Sequence, residues 1–149
     1  MFFALPLLGL VALNGYAWSE NIGEIHFGHA TSTYRVSING ETGDFSGYAW
    51  SRYVGWIKFN GDHARVCSAT AGGDCATNEI SENTSGWDGL LKLTGSNYGV
   101  RIIGDESAGC SLSGYAWGSD VVGWVHFNGP GYGVALDHCI VPVEPARTF

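Results

Sequence analysis

The chain contains short segments in which apolar and polar residues alternate with a period of two, the pattern of a β-strand with one buried face. Four such segments each begin at a glycine, and the four glycines are 32, 34 and 34 residues apart. A fixed period of this length indicates a repeated unit. The glycines are Gly23, Gly55, Gly89 and Gly123.

The alternation predicts which side chains of these segments, here called B segments, are buried. The second and fourth positions after each glycine are apolar in every copy, and we expect them to form the core: Ile25, Phe27, Ile57, Phe59, Leu91, Leu93, Val125 and Phe127. The opposite face is a mixture that only a solvent-facing surface tolerates: Glu24, His26, Trp56, Lys58, Leu90, Lys92, Trp124 and His126.

Two further segments accompany the B segments. The tetrapeptide GYAW, at Gly15, Gly47 and Gly114, precedes three of them and is called the A segment. Its small Gly and Ala side predicts close approach of another backbone. A C segment follows, with Tyr34, Val36 and Ile38 and their counterparts expected in the core and Arg35 and Arg101 outside. The repeats span approximately 13–38, 45–68, 80–103 and 112–136, and the third copy has lost its A segment within 67–85.

These patterns predict an all-β protein of about four three-stranded antiparallel units, arranged as a sandwich or a small propeller-like domain. A β-solenoid is the alternative. No ten-residue window has helical periodicity free of Gly or Pro, so we expect no long helix. One domain should cover residues 13–139, between an apolar leader or assembly strand at 1–12 and a tail at 140–149.

The composition excludes some classes of partner and indicates a cellular compartment. The net charge is −7 and charged residues make up only 14% of the chain, without a basic run, so neither nucleic acid nor an anionic bilayer is an attractive partner. Four cysteines suggest an oxidising compartment. We favour the disulfide pairs Cys67 with Cys75 and Cys110 with Cys139. The alternative is free or metal-bound thiols.

The N-terminal run FFALPLLGLVAL, residues 2–13, resembles the apolar core of a signal peptide, with possible cleavage after Ala12. It is too short for a stable membrane span, which takes about 20 residues. We therefore predict export and an extracellular or cell-surface location. If retained, the segment would have to be buried in this chain or in a neighbour.

The copies GYAWSENIGEIHF, from Gly15, and GYAWGSDVVGWVHF, from Gly114, carry a resemblance to a repeat of uncharacterised exported bacterial proteins, which typically reads GYAWSENIGWI. The resemblance covers about residues 13–136. The first copy departs at Glu24, and the last carries one extra residue. The resemblance implies an exported surface or appendage protein and brings no established activity or catalytic residues.

The outward aromatic residues are the best candidates for a ligand or partner surface, because a flat apolar ring with polar neighbours can orient a sugar. The candidates are Trp56, Lys58, Trp87, Trp124 and His126. Alternatively, neighbouring repeats or another subunit cover these rings. We expect Trp18, Trp50 and Trp117 to be structural, since they recur in every intact A segment.

Nothing in the sequence indicates catalysis, a cofactor or a metal site. His26 and His126 occupy equivalent outward positions with Lys58 between them in the series, which favours ordinary surface histidines. Asp105 and Glu106, like Glu79 and Glu82, lie in turn-like stretches and are expected to be solvated loop acids. We therefore expect a protein that is not an enzyme.

Two functions follow. The first is a structural subunit that self-associates into a surface filament or layer, with residues 1–12 or the C-terminal tail adding a strand to the next copy. The second is a carbohydrate-binding or adhesive module that uses the exposed Trp residues.

Overall fold

The computed structural model describes residues 9–29, 31–61, 63–66 and 90–140. These residues form thirteen β-strands and one helix of four residues, which confirms the all-β prediction. The helix, α1, comprises Ser119–Val122. The strands are β1 Leu10–Ser19, β2 Gly23–Gly28, β3 Val36–Asn39, β4 Phe45–Ser51, β5 Gly55–Gly61, β6 His63–Val66, β7 Leu90–Lys92, β8 Thr94–Gly95, β9 Tyr98–Asp105, β10 Gly109–Trp117, β11 Trp124–His126, β12 Asn128–Gly129 and β13 Tyr132–Leu136.

Each GYAW segment forms an antiparallel hairpin with the B segment that follows it. β1 pairs with β2, β4 with β5 and β10 with β11. The serine after GYAW closes the turn in the first two hairpins. The buried Ser51 hydroxyl accepts hydrogen bonds from the backbone N–H groups of Tyr53, at 3.1 Å, and Val54, at 3.3 Å.

The fourth repeat closes its hairpin differently because Gly118 replaces this serine. The extra residue of this copy is accommodated in α1, and the Gly118 N–H donates to the Gly123 carbonyl at 2.7 Å. The departure from the repeat pattern therefore changes the turn and leaves the pairing of β10 with β11 intact.

The C segments pair across repeats, so neighbouring three-stranded units are joined by shared strand pairing. β3 lies between β1 and β4, and β13 pairs with both β1 and β10. A C segment thus bridges its own A segment and that of the next copy. All strand pairs among the described residues are antiparallel, and none joins two A segments, so the alternative of a solenoid of stacked like strands is wrong.

The strand pairings return to their starting point. From β1 the path runs through β2, β4, β5, β6, β7, β10 and β11, and β11 pairs again with β1. The repeats therefore share one continuous sheet and are not separate blades. This sheet has an inner face that holds the core and an outer face that meets solvent.

The inner face is filled as the alternation predicts. All eight predicted core positions of the B segments are at most 4% exposed. Phe27 lies at the centre, with its ring centroid 5.3 Å from that of Phe59 and 5.4 Å from that of Phe127. Leu93 takes the equivalent position in the third repeat. The alanines of GYAW, Ala17, Ala49 and Ala116, are fully buried beside them.

The GYAW glycine permits a close approach of two backbones, as the small-residue side predicted. Gly47 has φ +100°, and a Cβ there would overlap the carbonyl oxygen of Arg35. That carbonyl accepts a hydrogen bond from the Tyr48 N–H at 3.0 Å. Gly15 and Gly114 meet C-segment carbonyls in the same way, so one steric requirement explains the glycine in all three copies.

The described residues also test the predicted boundaries. β1 begins at Leu10, and Val11 is buried, so the domain starts before the predicted residue 13. β6, His63–Val66, lies at the end of the second predicted repeat, 45–68. The Cys110 and Cys139 sulfurs are 2.05 Å apart, at disulfide distance, as predicted. The predicted Cys67–Cys75 pair lies outside the described residues.

Candidate functional site

The outer face of the second repeat carries three aromatic rings around Trp56. Its ring centroid is 4.9 Å from that of Trp50, 5.3 Å from that of Tyr34 and 6.2 Å from that of Tyr48. All three contacts are edge-to-face, a favourable arrangement of aromatic rings. We call Tyr34, Tyr48, Trp50 and Trp56 the second-repeat cluster.

The fourth repeat presents the same arrangement around Trp124. Its centroid is 4.7 Å from Trp117, 5.1 Å from Tyr98 and 6.0 Å from Tyr115. Each distance is within 0.2 Å of its counterpart in the second repeat. We call Tyr98, Tyr115, Trp117 and Trp124 the fourth-repeat cluster.

Three segments supply each cluster. The Tyr and Trp of GYAW come from the A segment, the central Trp comes from the B segment paired with it, and the remaining Tyr comes from the C segment of the preceding repeat. The prediction that Tyr34 faces the core is therefore wrong. β3 begins only at Val36, so the alternation that buries Val36 and Ile38 does not extend back to Tyr34.

The first repeat lacks the central ring because Glu24 occupies that position. Glu24 and His26 form a hydrogen bond, with 2.8 Å between Oε1 and Nε2. The A-segment rings of this repeat turn to the C segment of the fourth repeat. The Tyr132 centroid is 6.3 Å from that of Tyr16 and 6.4 Å from that of Trp18.

A cavity of about 500 Å³ lies beside the fourth-repeat cluster. It forms where β11 pairs with β1, which sets Trp18 opposite His126. Trp18 and three rings of the cluster, Tyr115, Trp117 and Trp124, line it. Glu20 and Asn21 add polar atoms to the lining.

His126 and Tyr132 are held together in the lining of this cavity. The His126 Nδ1 and the Tyr132 hydroxyl form a 2.7 Å hydrogen bond, and the imidazole stacks on Tyr115 with centroids 4.2 Å apart. Burial, together with the nearby Tyr115 and Glu20, raises the pKa of Tyr132. The phenol of Tyr132 therefore remains neutral. The cavity thus combines apolar ring surfaces with hydrogen-bonding groups.

The tryptophans are only partly covered. Trp124 is 46% exposed and Trp56 38%, as predicted for outward positions. Trp18 and Trp50, which we expected to be structural, are 39% and 37% exposed. Recurrence in each A segment therefore reflects this outer aromatic face rather than core packing.

The predicted surface residues form two separate sites. Trp124 and His126 lie at the cavity, whereas Trp56 belongs to the second-repeat cluster and Lys58 lies opposite Tyr48 in the hairpin of β4 and β5. β1 and β2 separate the two hairpins. Trp87 lies outside the described residues.

Sequence reasoning missed the contributions of Tyr34, Tyr98, Tyr132 and Trp18. A signal was present, because a Tyr opens three C segments at the same position. The predicted inward face of the C segments placed the three tyrosines in the core, whereas all three are half-buried. Trp18 was expected to be structural.

The remaining polar candidates have local roles. Asp105 is exposed, and its Oδ1 accepts from the N–H groups of Ser107, at 3.1 Å, and Ala108, at 2.8 Å. Hydrogen bonds from Ala108 and Ser107 lower the pKa of Asp105, so this carboxylate stabilises a turn. Within the described ranges, no three His, Cys, Asp or Glu side chains are grouped to hold a metal ion.

No protein-family model matches the chain, and comparisons with curated proteins and with solved structures find no similar protein. Among the helices of the described residues, none is long and apolar enough to cross a membrane.

Proposed function

We propose that this chain is an exported binding module that holds neutral carbohydrate at its outer aromatic face. The observation that carries the proposal is the cavity of about 500 Å³ between Trp18 and the fourth-repeat cluster. Ligand pockets have volumes of about 300–1,000 Å³ and combine apolar walls with a few polar groups.

The chemistry of the walls favours a sugar. The C–H face of a pyranose is apolar and packs on an aromatic ring, while its hydroxyls need hydrogen-bonding partners at the rim. Trp18 and Trp124 offer ring surface on two sides, and Glu20, His126 and Tyr132 offer polar atoms. An aromatic ring is well suited to such contacts because it buries a large area at fixed geometry.

Charge argues for a neutral glycan. The chain carries a net charge of −7, and Glu20 lines the cavity, so an anionic polysaccharide would be repelled. The pair Cys110 and Cys139 at disulfide distance is compatible with an extracellular location, where such bonds persist. Together these properties suit an adhesive module at a cell surface.

A glycan array followed by titration calorimetry tests the proposal. Trp124→Ala should weaken binding of the best neutral oligosaccharide by about tenfold or more, as expected for a central aromatic contact worth at least 1.4 kcal/mol. Tyr53→Ala is the matched control, since Tyr53 is an aromatic residue that is 70% exposed and belongs to neither cluster. Binding of anionic glycans alone, or unchanged affinity in Trp124→Ala, would reject the site.

A second candidate is a self-associating structural subunit, and one edge of the sheet favours it. Residues 101–105 of β9 pair with β10, and no other described strand covers their second edge. Ile103 on this strand is 38% exposed. An uncovered edge is a template for another chain.

Electron microscopy and sedimentation velocity separate the two candidates. A filament built through β9 should be lost in Ile103→Lys, because a charge on an edge strand opposes pairing. Removal of residues 2–8 tests whether the segment before β1 is the added strand. A monomer at all concentrations would leave the binding module as the function.

A further inference from the structure

We infer that the chain is bivalent: the second-repeat cluster is a second carbohydrate site, equivalent in its rings to the first, and the two sites together cross-link polysaccharide chains. The inference rests on the proposed function and extends it from one site to two.

The first step is the identity of the two ring sets. Both clusters consist of a central Trp, the Tyr and Trp of GYAW, and a Tyr from the preceding C segment. Their centroid distances agree within 0.2 Å. Whatever ring surface Trp124 offers a sugar, Trp56 therefore offers in the same geometry, at a similar exposure.

The second step is that folding does not require the central Trp. The first repeat has Glu24 at this position, yet its hairpin of β1 and β2 is paired and its core residues Ile25 and Phe27 are fully buried. The B segment of the third repeat, with Leu90 there, likewise buries Leu91 and Leu93. The two retained tryptophans, Trp56 and Trp124, are thus unexplained by the core and are accounted for by a shared ligand.

The third step is the placement of the clusters. Trp56 is on β5 and Trp124 is on β11, and these strands are four of the eight pairing steps apart around the closed sheet, with β4, β2 and β1 between them. At about 4.8 Å per strand this is roughly 19 Å along a curved surface. The outer faces at the two positions point in different directions, so each site engages its own polysaccharide chain.

The two sites differ in their surroundings. The fourth-repeat cluster faces Trp18 across the cavity, and it should bind more tightly. The second-repeat cluster has Lys58 in its hairpin and no described ring that corresponds to Trp18. We therefore expect one stronger and one weaker site for the same neutral oligosaccharide.

Titration calorimetry with a short neutral oligosaccharide from the array measures the number of oligosaccharide molecules bound per protein chain. This number does not depend on whether the protein self-associates. The wild-type chain should bind two molecules, and Trp56→Ala and Trp124→Ala should each bind one. Trp56→Ala should lose the weaker site. Glu24→Ala, the equivalent position of the first repeat, is the control and should still bind two.

Light scattering with a long soluble form of the same glycan measures cross-linking. Wild-type protein should enlarge the particles, whereas each single Trp variant should bind without enlarging them. A stoichiometry of one for the wild type, unchanged by Trp56→Ala, would overturn bivalency and leave the proposed function in place. Absence of any glycan binding by the wild type would instead reject the proposed function.

Discussion

Replacing Gly47 by alanine tests the close approach on which the sheet depends. Gly47 has φ +100°, a conformation that L side chains rarely adopt. A Cβ would lie well inside the 3.0 Å below which real Cβ atoms are essentially never found, and its neighbour is the backbone carbonyl of Arg35. A backbone atom cannot rotate away as a side chain can. The strand β3 would have to move.

The size of the effect follows from two contributions. The strained backbone costs about 1–2 kcal/mol. Displacing the Arg35 carbonyl breaks its hydrogen bond with the N–H of the half-buried Tyr48, and the loss of such a bond costs about 0.5–1.5 kcal/mol. Gly47→Ala should therefore lower the free energy of unfolding by about 1.5–3.5 kcal/mol.

Chemical denaturation followed by tryptophan fluorescence measures this loss. Gly43→Ala is the matched control, because Gly43 also has a positive φ, +82°, but a Cβ there would meet nothing within 4 Å. It should lose only the contribution of the strained backbone, about 1–2 kcal/mol. Equal losses in the two variants would refute the steric role of the GYAW glycine and leave backbone strain as the sole cause.

Two further predictions concern stability. Replacing both Cys110 and Cys139 by alanine should lower the free energy of unfolding by about 3–4 kcal/mol in a denaturant titration, because a cross-link over a sequence separation of 29 reduces the entropy of the unfolded chain. A loss below about 1 kcal/mol would contradict a stabilising cross-link. Ser51→Ala should cost about 1–2 kcal/mol because two turn N–H groups lose their acceptor. Ser19→Ala should cost more, since Ser19 also donates to the Val122 carbonyl at 2.7 Å, and the reverse order would argue against this reasoning.

The period-two alternation was sufficient to predict the B segments. Each B segment has a single apolar face, and Phe59 and its counterparts lie on it in every copy. Their burial could therefore be predicted from the local sequence pattern. The pairing of the C segments was not predictable in this way. β3 is apolar on one face wherever it lies, and its choice of β1 and β4 depends on contacts between residues distant in the chain.

The alternation also predicted part of the candidate site. Trp56, Trp124 and His126 were placed outside by the alternation within a single strand. The cavity requires that β11 pair with β1, which brings Trp18 opposite His126 across a separation of more than one hundred residues. No local pattern contains that pairing. Closure of the sheet therefore determined which outward rings meet.

The two faces of the sheet are under different physical constraints, and a comparison of equivalent positions in the repeats distinguishes these constraints. The inner face must exclude water, so each B segment carries Ile, Val, Leu or Phe at its core positions. The outer face tolerates Glu24, Leu90 or Trp at one equivalent position without loss of pairing. A half-exposed tryptophan still presents apolar area to water. Trp occupies this position in two copies, each with the same three partner rings, and this pattern is the reason for proposing a ligand that covers it.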